Sequence, residues 1–150
     1  MRTFRQSFIV NSPLERVWHF YIDVSHLETI TPKEIELKII STTNQNMVQG
    51  QEILVSGKIF EKIRRRMKWH SKITFLKTHE YIDEMLSGPF KKWRHLHRFY
   101  SIDGKQTEVI DEVDFELPYG ILGKLFEGYA YKQLKNTFEY RKIATVKTLE

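Results

Sequence analysis

The chain has no cysteine. That absence removes disulfides, thiolate nucleophiles and cysteine-ligated metal centres from consideration, and it leaves the compartment undecided. A long apolar run is also missing near the N-terminus, where Phe8-Ile9-Val10 stands alone before a turn. Three residues are too few for a signal peptide or a membrane span, so the expectation is a cytoplasmic protein without stable membrane insertion. Internal repeats, linkers and low-complexity segments are lacking too, and one domain over residues 1–150 is expected.

What the chain has in quantity is apolar and aromatic. Hydrophobic residues make up 41% and aromatics 13%, with ten Phe, seven Tyr and three Trp, a composition that excludes a disordered chain or a coiled coil. A domain of this length buries roughly two-thirds of its unfolded surface. The net charge of +5 raises the question of nucleic acid, because Lys and Arg neutralise phosphates. The positions of those charges decide it.

Residues 2–10 read as a strand. Ser12, Pro13 and Glu15 then form a helix start in which Ser12 caps, Pro13 takes the first helical position and Glu15 completes a capping box. Leu14, Val17, Trp18, Tyr21 and Ile22 share one stripe, so this helix ends near Asp23, and a second short turn of helix follows Ser25. Ile30-Thr31-Pro32 stops helical structure. From Ile35 to Leu117 the pattern is a strand meander, with turns at Asn44-Gln45-Asn46, Gly88-Pro89 and Asp103-Gly104. The expected strands include 62–76, 79–87, 93–102 and 106–117. A long helix closes the chain over about 121–141, carrying Leu122, Leu125, Phe126, Tyr129, Ala130, Leu134 and Phe138 at helical spacing. Gly123 and Gly128 cost helix propensity there, which points to close packing or a cavity beside them.

Alternation along the strands separates two faces. On the polar face, Lys62, Arg64, Arg66, Lys68 and Lys72 precede a strand with Glu80 and Glu84. Arg94 and Arg98 then precede a strand with Glu108, Glu112, Asp114 and Glu116. Signs therefore alternate strand by strand and pair within the sheet, so no nucleic-acid partner is expected.

The opposite face is apolar, with Ile63, Met67, Trp69, Ile73 and Phe75 in phase on the first of these strands. Tyr81, Met85, Trp93, Phe99, Val109, Val113, Phe115 and Leu117 continue it on the next three. Four polar residues share that phase: Asp83, His95, His97 and Asp111. Buried imidazoles and carboxylates must pair or line a wet cavity. Three adjacent strands would carry them, letting an Asp orient a His and raise its pKa. A satisfied internal network and ligand contact are both open. Two imidazoles on one strand with Asp111 as a third ligand resemble some metal sites, but no further His or Glu shares the phase, so neither metal nor cofactor is expected. General base catalysis by a His-Asp pair, with His95, His97 and Asp111 as candidates, lacks an accompanying nucleophile.

The order of elements, one strand, a capped helix, a six-strand meander and a long final helix, resembles the START-like helix-grip superfamily, also called SRPBCC. Tyr81-Ile82-Asp83-Glu84-Met85, Gly88-Pro89-Phe90, Trp93-x-His95-x-His97-x-Phe99, and Asp111-Glu112-Val113 through Leu117-Pro118 are similar to a bacterial cyclase/dehydrase-like, ligand-binding branch. The resemblance implies an α+β fold. A seven-stranded curved antiparallel sheet would wrap the last helix, with two short helices after the first strand. It also implies a cavity for a lipid, polyketide, quinone or other apolar molecule. The residues expected to line it are Trp69, Tyr81, Asp83, Met85, Trp93, His95, His97, Phe99, Asp111, Phe115, Phe126 and Tyr129. Related sequences often carry Gln at the position of Met85, which implies a less polar pocket here. Some relatives are fused to a nucleotide-sugar epimerase-like domain, so a partner protein acting in trans is a further expectation. Small-molecule binding leads, ahead of a cyclase or dehydratase using the His-Asp cluster and a membrane-associated lipid chaperone.

Overall fold

A computed structural model describes residues 1–150. Strand β1 (Arg2–Val10) leads into helix α1 (Leu14–Ile22), and two 3₁₀ turns follow, Val24–Leu27 and Lys33–Ile35. The meander is β2 (Lys38–Thr42), β3 (Glu52–Gly57), β4 (Met67–Lys77), β5 (Glu80–Ser87), β6 (Lys92–Ser101) and β7 (Thr107–Glu116). Helix α2 (Ile121–Leu149) ends the chain. All seven strands form one antiparallel sheet in the order β1-β7-β6-β5-β4-β3-β2, so β1 closes onto the last strand of the meander. This is the helix-grip arrangement.

Local chemistry departs from expectation in four places. Ser12 does not cap α1: the cap residue is Pro13, without a side-chain hydrogen bond, and Glu15 reaches His79 instead. The backbone carbonyl of Ser12 is taken by the Thr107 hydroxyl at 2.8 Å, which fixes the chain entry from β7. Residues 58–66 form a loop, with Arg64 at φ 49°, and β4 starts only at Met67, so Ile63 lies exposed outside the sheet. Within β4 a bulge between Ile73 and Phe75 inserts one extra residue. It reverses the phase beyond it, so Leu76 packs into the core and Phe75 turns to the polar face beside Lys77. Finally, α2 continues two turns past Arg141, where its last carbonyls meet Arg16, whose Nη1 donates to Leu149 O at 3.0 Å.

Lys62, Arg64 and Arg66 lie in the 58–66 loop and not on the sheet, while the polar face within the sheet pairs as its alternation requires. Lys72 faces Glu84, Glu84 faces Arg94 and Arg94 faces Asp114 in register across four strands. Arg98 Nε donates to Glu80 at 3.1 Å and Arg5 Nε to Glu112 at 3.0 Å.

On the inner face, α2 buries Ala130, Leu134, Phe138, Arg141, Thr145 and Leu149, one residue per turn. Two apolar clusters result. One joins α1 to the sheet around Trp18, Tyr21, Ile73, Tyr81 and Phe99. The other joins Phe4, Phe60, Phe90, Val113 and Phe115 to Ala130, Leu134 and Phe138. Between these clusters lies the polar group that the sequence singles out.

Candidate functional site

Strand register builds the site. Asp83 on β5 faces His95 on β6, while His97 faces Asp111 on β7. The hydrogen bonds run diagonally. His95 Nε2 donates to Asp111 Oδ1 at 2.7 Å, and His97 Nε2 donates to Asp83 Oδ2 at 2.6 Å. Two residues apart on one strand, the imidazoles stack with centroids 3.5 Å apart. Tyr81 stacks on the far side of His97 at 3.9 Å, and Phe138 meets His95 edge-on at 5.2 Å. Trp93 Nε1 donates to Asp83 Oδ1 at 3.3 Å.

The cation of the site, Arg141, is not among the residues that the strand alternation singles out. Arg141, buried on α2, places Nη2 3.3 Å from His97 Nδ1 and 3.8 Å from Asp111 Oδ1. Its signal was readable, since Arg141 extends the Ala130, Leu134, Phe138 stripe and two inward carboxylates call for a counter-charge. A guanidinium can only donate, so His97 Nδ1 must accept. The proton of His97 therefore sits on Nε2, where Asp83 receives it. By the same logic Thr145 donates to the Arg141 carbonyl at 2.8 Å, so the Tyr21 hydroxyl donates to Thr145 at 2.7 Å.

These contacts order the electrostatics. Burial alone would raise Asp111, but Arg141 and then His95 outweigh it and hold the carboxyl at about 2. Asp83 moves the other way: burial lifts it above the ordinary carboxylate value against the pull of His95 and Arg141. His97 lies well below its ordinary value, first through burial and then through repulsion by His95 and Arg141. Burial also pushes the Tyr21 hydroxyl up to about 12. Asp111 is thus held as an anion and His97 as a neutral imidazole. His95 Nδ1, 3.6 Å from Asp83 Oδ2, is the imidazole nitrogen of the pair that makes no hydrogen bond.

A cavity of about 170 Å³ opens beside this group, between sheet and α2. Trp69, Tyr81, Asp83, Met85, Trp93, His95 and His97 all line it. Asp83 is the more accessible carboxylate, with 20% of its side chain exposed against 1% for Asp111. Five expected lining residues lie elsewhere. Phe99 and Phe115 are packed in the two clusters, and Asp111 sits behind the histidines. Tyr129 stands beside the 58–66 loop, its hydroxyl accepting from the Lys62 N–H at 2.8 Å, and Phe126 is exposed. Both precede Ala130, where α2 first meets the cavity, and helical phase alone does not tell which turns are covered. Gln133, Thr137 and Arg141 add polar lining from α2. A polar recess of about 550 Å³ adjoins the cavity, sharing Ile35, Ile59, Gln133 and Thr137 and adding Glu34, Lys58 and Arg64 among others.

Asp111 is not the third member of a metal-like group with the two histidines. The structure instead brings Asp83, His95 and His97 together, each with a ligand atom within 4.8 Å of the others. Arg141 opposes a cation there twice, by charge and by holding the His97 proton on Nε2, where a metal would need the lone pair.

Residues 10–138 match the family profile described as polyketide cyclase/dehydrase and lipid transport. The chain belongs to this family. Solved structures share its fold along nearly the whole length. A protein from Thermus thermophilus is 17% identical, with 99% of this chain and 97% of the other covered and a TM-score of 0.77. A START superfamily protein from Mycobacterium smegmatis is 13% identical over 98% and 96%, with a TM-score of 0.74. The Zhui aromatase/cyclase from Streptomyces sp. R1128 is 18% identical over 99% and 90%, at 0.69. Identities this low carry the fold alone. No curated protein matches the sequence.

Proposed function

We propose that this family member binds an apolar or amphipathic small molecule between sheet and α2, with the ligand's polar group meeting Asp83 and His95. The observation that supports this reading is the partly open, mainly apolar cavity with one polar wall, the usual form of a small-molecule site. Its volume of about 170 Å³ suits one aromatic ring, since an apolar cavity of about 150 Å³ holds benzene. A larger ligand would extend into the adjoining recess and place its charged or hydroxylated end among Glu34, Lys58 and Arg64. Trp69, Tyr81, Met85 and Trp93 would hold the apolar part.

Native mass spectrometry of protein purified from its own host tests the proposal, together with thermal melts against a panel of aromatic and isoprenoid ligands. A retained small molecule, or a ligand that raises Tm and quenches Trp69 and Trp93 fluorescence, is expected. An empty protein whose Tm no ligand moves would sink the reading.

A second reading is acid–base catalysis on the bound molecule. His95 Nδ1 and Asp83 favour it, because they share an edge of the cavity while Asp111 anchors the other side of the His95 ring. His95→Gln would then abolish turnover and leave binding nearly intact. A binding protein shows no turnover in either form.

A further inference from the structure

The first two turns of α2 bury only Gly123. Around it stand Tyr119, Ile121, Leu122, Leu125 and Phe126, exposed by 83, 80, 62, 74 and 61%. On the helix, residues 121, 122, 125 and 126 form one face, so this is a single apolar patch and not scattered residues. The 58–66 loop lies against the next turn: Lys62 bonds the Tyr129 hydroxyl and holds its ammonium 5.3 Å from the Tyr129 ring. That loop brings Ile63, itself 52% exposed, with Lys62, Arg64, Arg65 and Arg66. Phe60 packs on Phe90 and Tyr129, so the β5–β6 turn with Lys91 and Lys92 belongs to the same end of the molecule. Lys124 stands on the helix itself. The acidic residues there are Glu34, Glu36, which pairs with Lys58, Glu61, Glu116, which pairs with Lys91 and Lys92, and Glu127, which pairs with Arg2. Basic groups outnumber them.

We propose that this end of the molecule, the start of α2 with the 58–66 loop, is a reversible docking surface for an anionic lipid bilayer. Protruding aliphatic and aromatic side chains ringed by Lys and Arg suit the interface, where apolar groups enter the acyl boundary and cations meet the headgroups. A second copy suits it less, because a two-fold contact would press the same basic rim against itself. Ile59 and Phe60 of the docking loop also line the cavity, so a docked protein would present its cavity wall to the bilayer. Docking itself does not depend on what the cavity holds.

Vesicle flotation tests the proposal, using phosphatidylcholine alone and phosphatidylcholine with phosphatidylserine as the minority lipid. The full chain is expected to float with the anionic vesicles, to stay behind with the neutral ones, and to be released by high salt. Leu125→Glu with Phe126→Glu, and separately Arg64→Glu with Arg65→Glu, should each weaken binding about tenfold or more. All four side chains are exposed, so circular dichroism and Tm should match the unsubstituted chain; if the first pair lowers Tm, Ile121→Ser with Leu122→Ser probes the same face. Equal flotation with both vesicle types, none with the anionic ones, or full binding by well-folded variants would overturn the proposal. So would a dimer in sedimentation equilibrium that Leu125→Glu dissociates, since a second copy would then cover the patch.

Discussion

Asp111 and Arg141 are a buried pair, each serving as a counter-charge for the other. Removing one partner should cost about 3–5 kcal/mol, while replacing both by apolar groups is far less damaging. Chemical denaturation of Asp111→Asn, Arg141→Met and the double variant should therefore show strong coupling, with the double variant more stable than the sum of the two losses. Simple additivity would mean the pair is not an electrostatic unit. His97 supplies a pH signature. Its folded pKa lies below the ordinary 6.5, so the unfolded chain takes up a proton that the folded one refuses. The associated stability is complete above 6.5 and falls by about 1.4 kcal/mol per unit as pH drops below it toward the folded value. Asp83 works in the opposite sense, its raised pKa making its contribution largest at low pH. The comparison that isolates His97 is thus wild type against His97→Gln, whose stability gap should narrow on acidification from neutral pH; a constant gap would refute the assignment.

At the scale of elements, the glycines of α2 have opposite meanings. A Cβ on Gly123 would stand 2.2 Å from the Pro118 carbonyl oxygen and 3.1 Å from that of Leu117, so the helix start is packed onto backbone that cannot yield cheaply. Gly123→Ala should destabilise by about 1–3 kcal/mol. Around Gly128 nothing lies within 4 Å, and Gly128→Ala should stabilise by roughly 0.4–1 kcal/mol through helix propensity and a stiffer unfolded chain. Thermal melts of the two variants should move in opposite directions. The bulge in β4 is the other decisive local device. One extra residue turns Phe75 outward and Leu76 inward, and the strand bends as a sheet wrapped around a helix requires.

Across the whole molecule, two apolar clusters flank a polar seam, and the cavity opens along that seam. Ala130 is buried at its wall. Ala130→Leu should occupy part of the volume, leave Tm within a few degrees, and abolish the Tm shift given by any ligand that stabilises the parent chain. A ligand at about a hundred times its Kd contributes about 2.7 kcal/mol, which is readily resolved in a protein this size. An undiminished ligand shift in Ala130→Leu would place binding elsewhere. No helix is long and apolar enough to cross a membrane.

Periodicity by itself determined the element order, the strand phases of β5 to β7 and the inward turn of His95, His97 and Asp111, because alternation by two leaves no other way to bury Phe99, Val109 and Val113. Only the tertiary structure decided which His meets which Asp, since the bonds cross the register diagonally, and that Arg141 stands between them, since α2 reaches the sheet through space. It also decided that Phe126 and Tyr129 fall outside the cavity. A helical stripe says which side of α2 is apolar, while the sheet's extent says how many of its turns are covered.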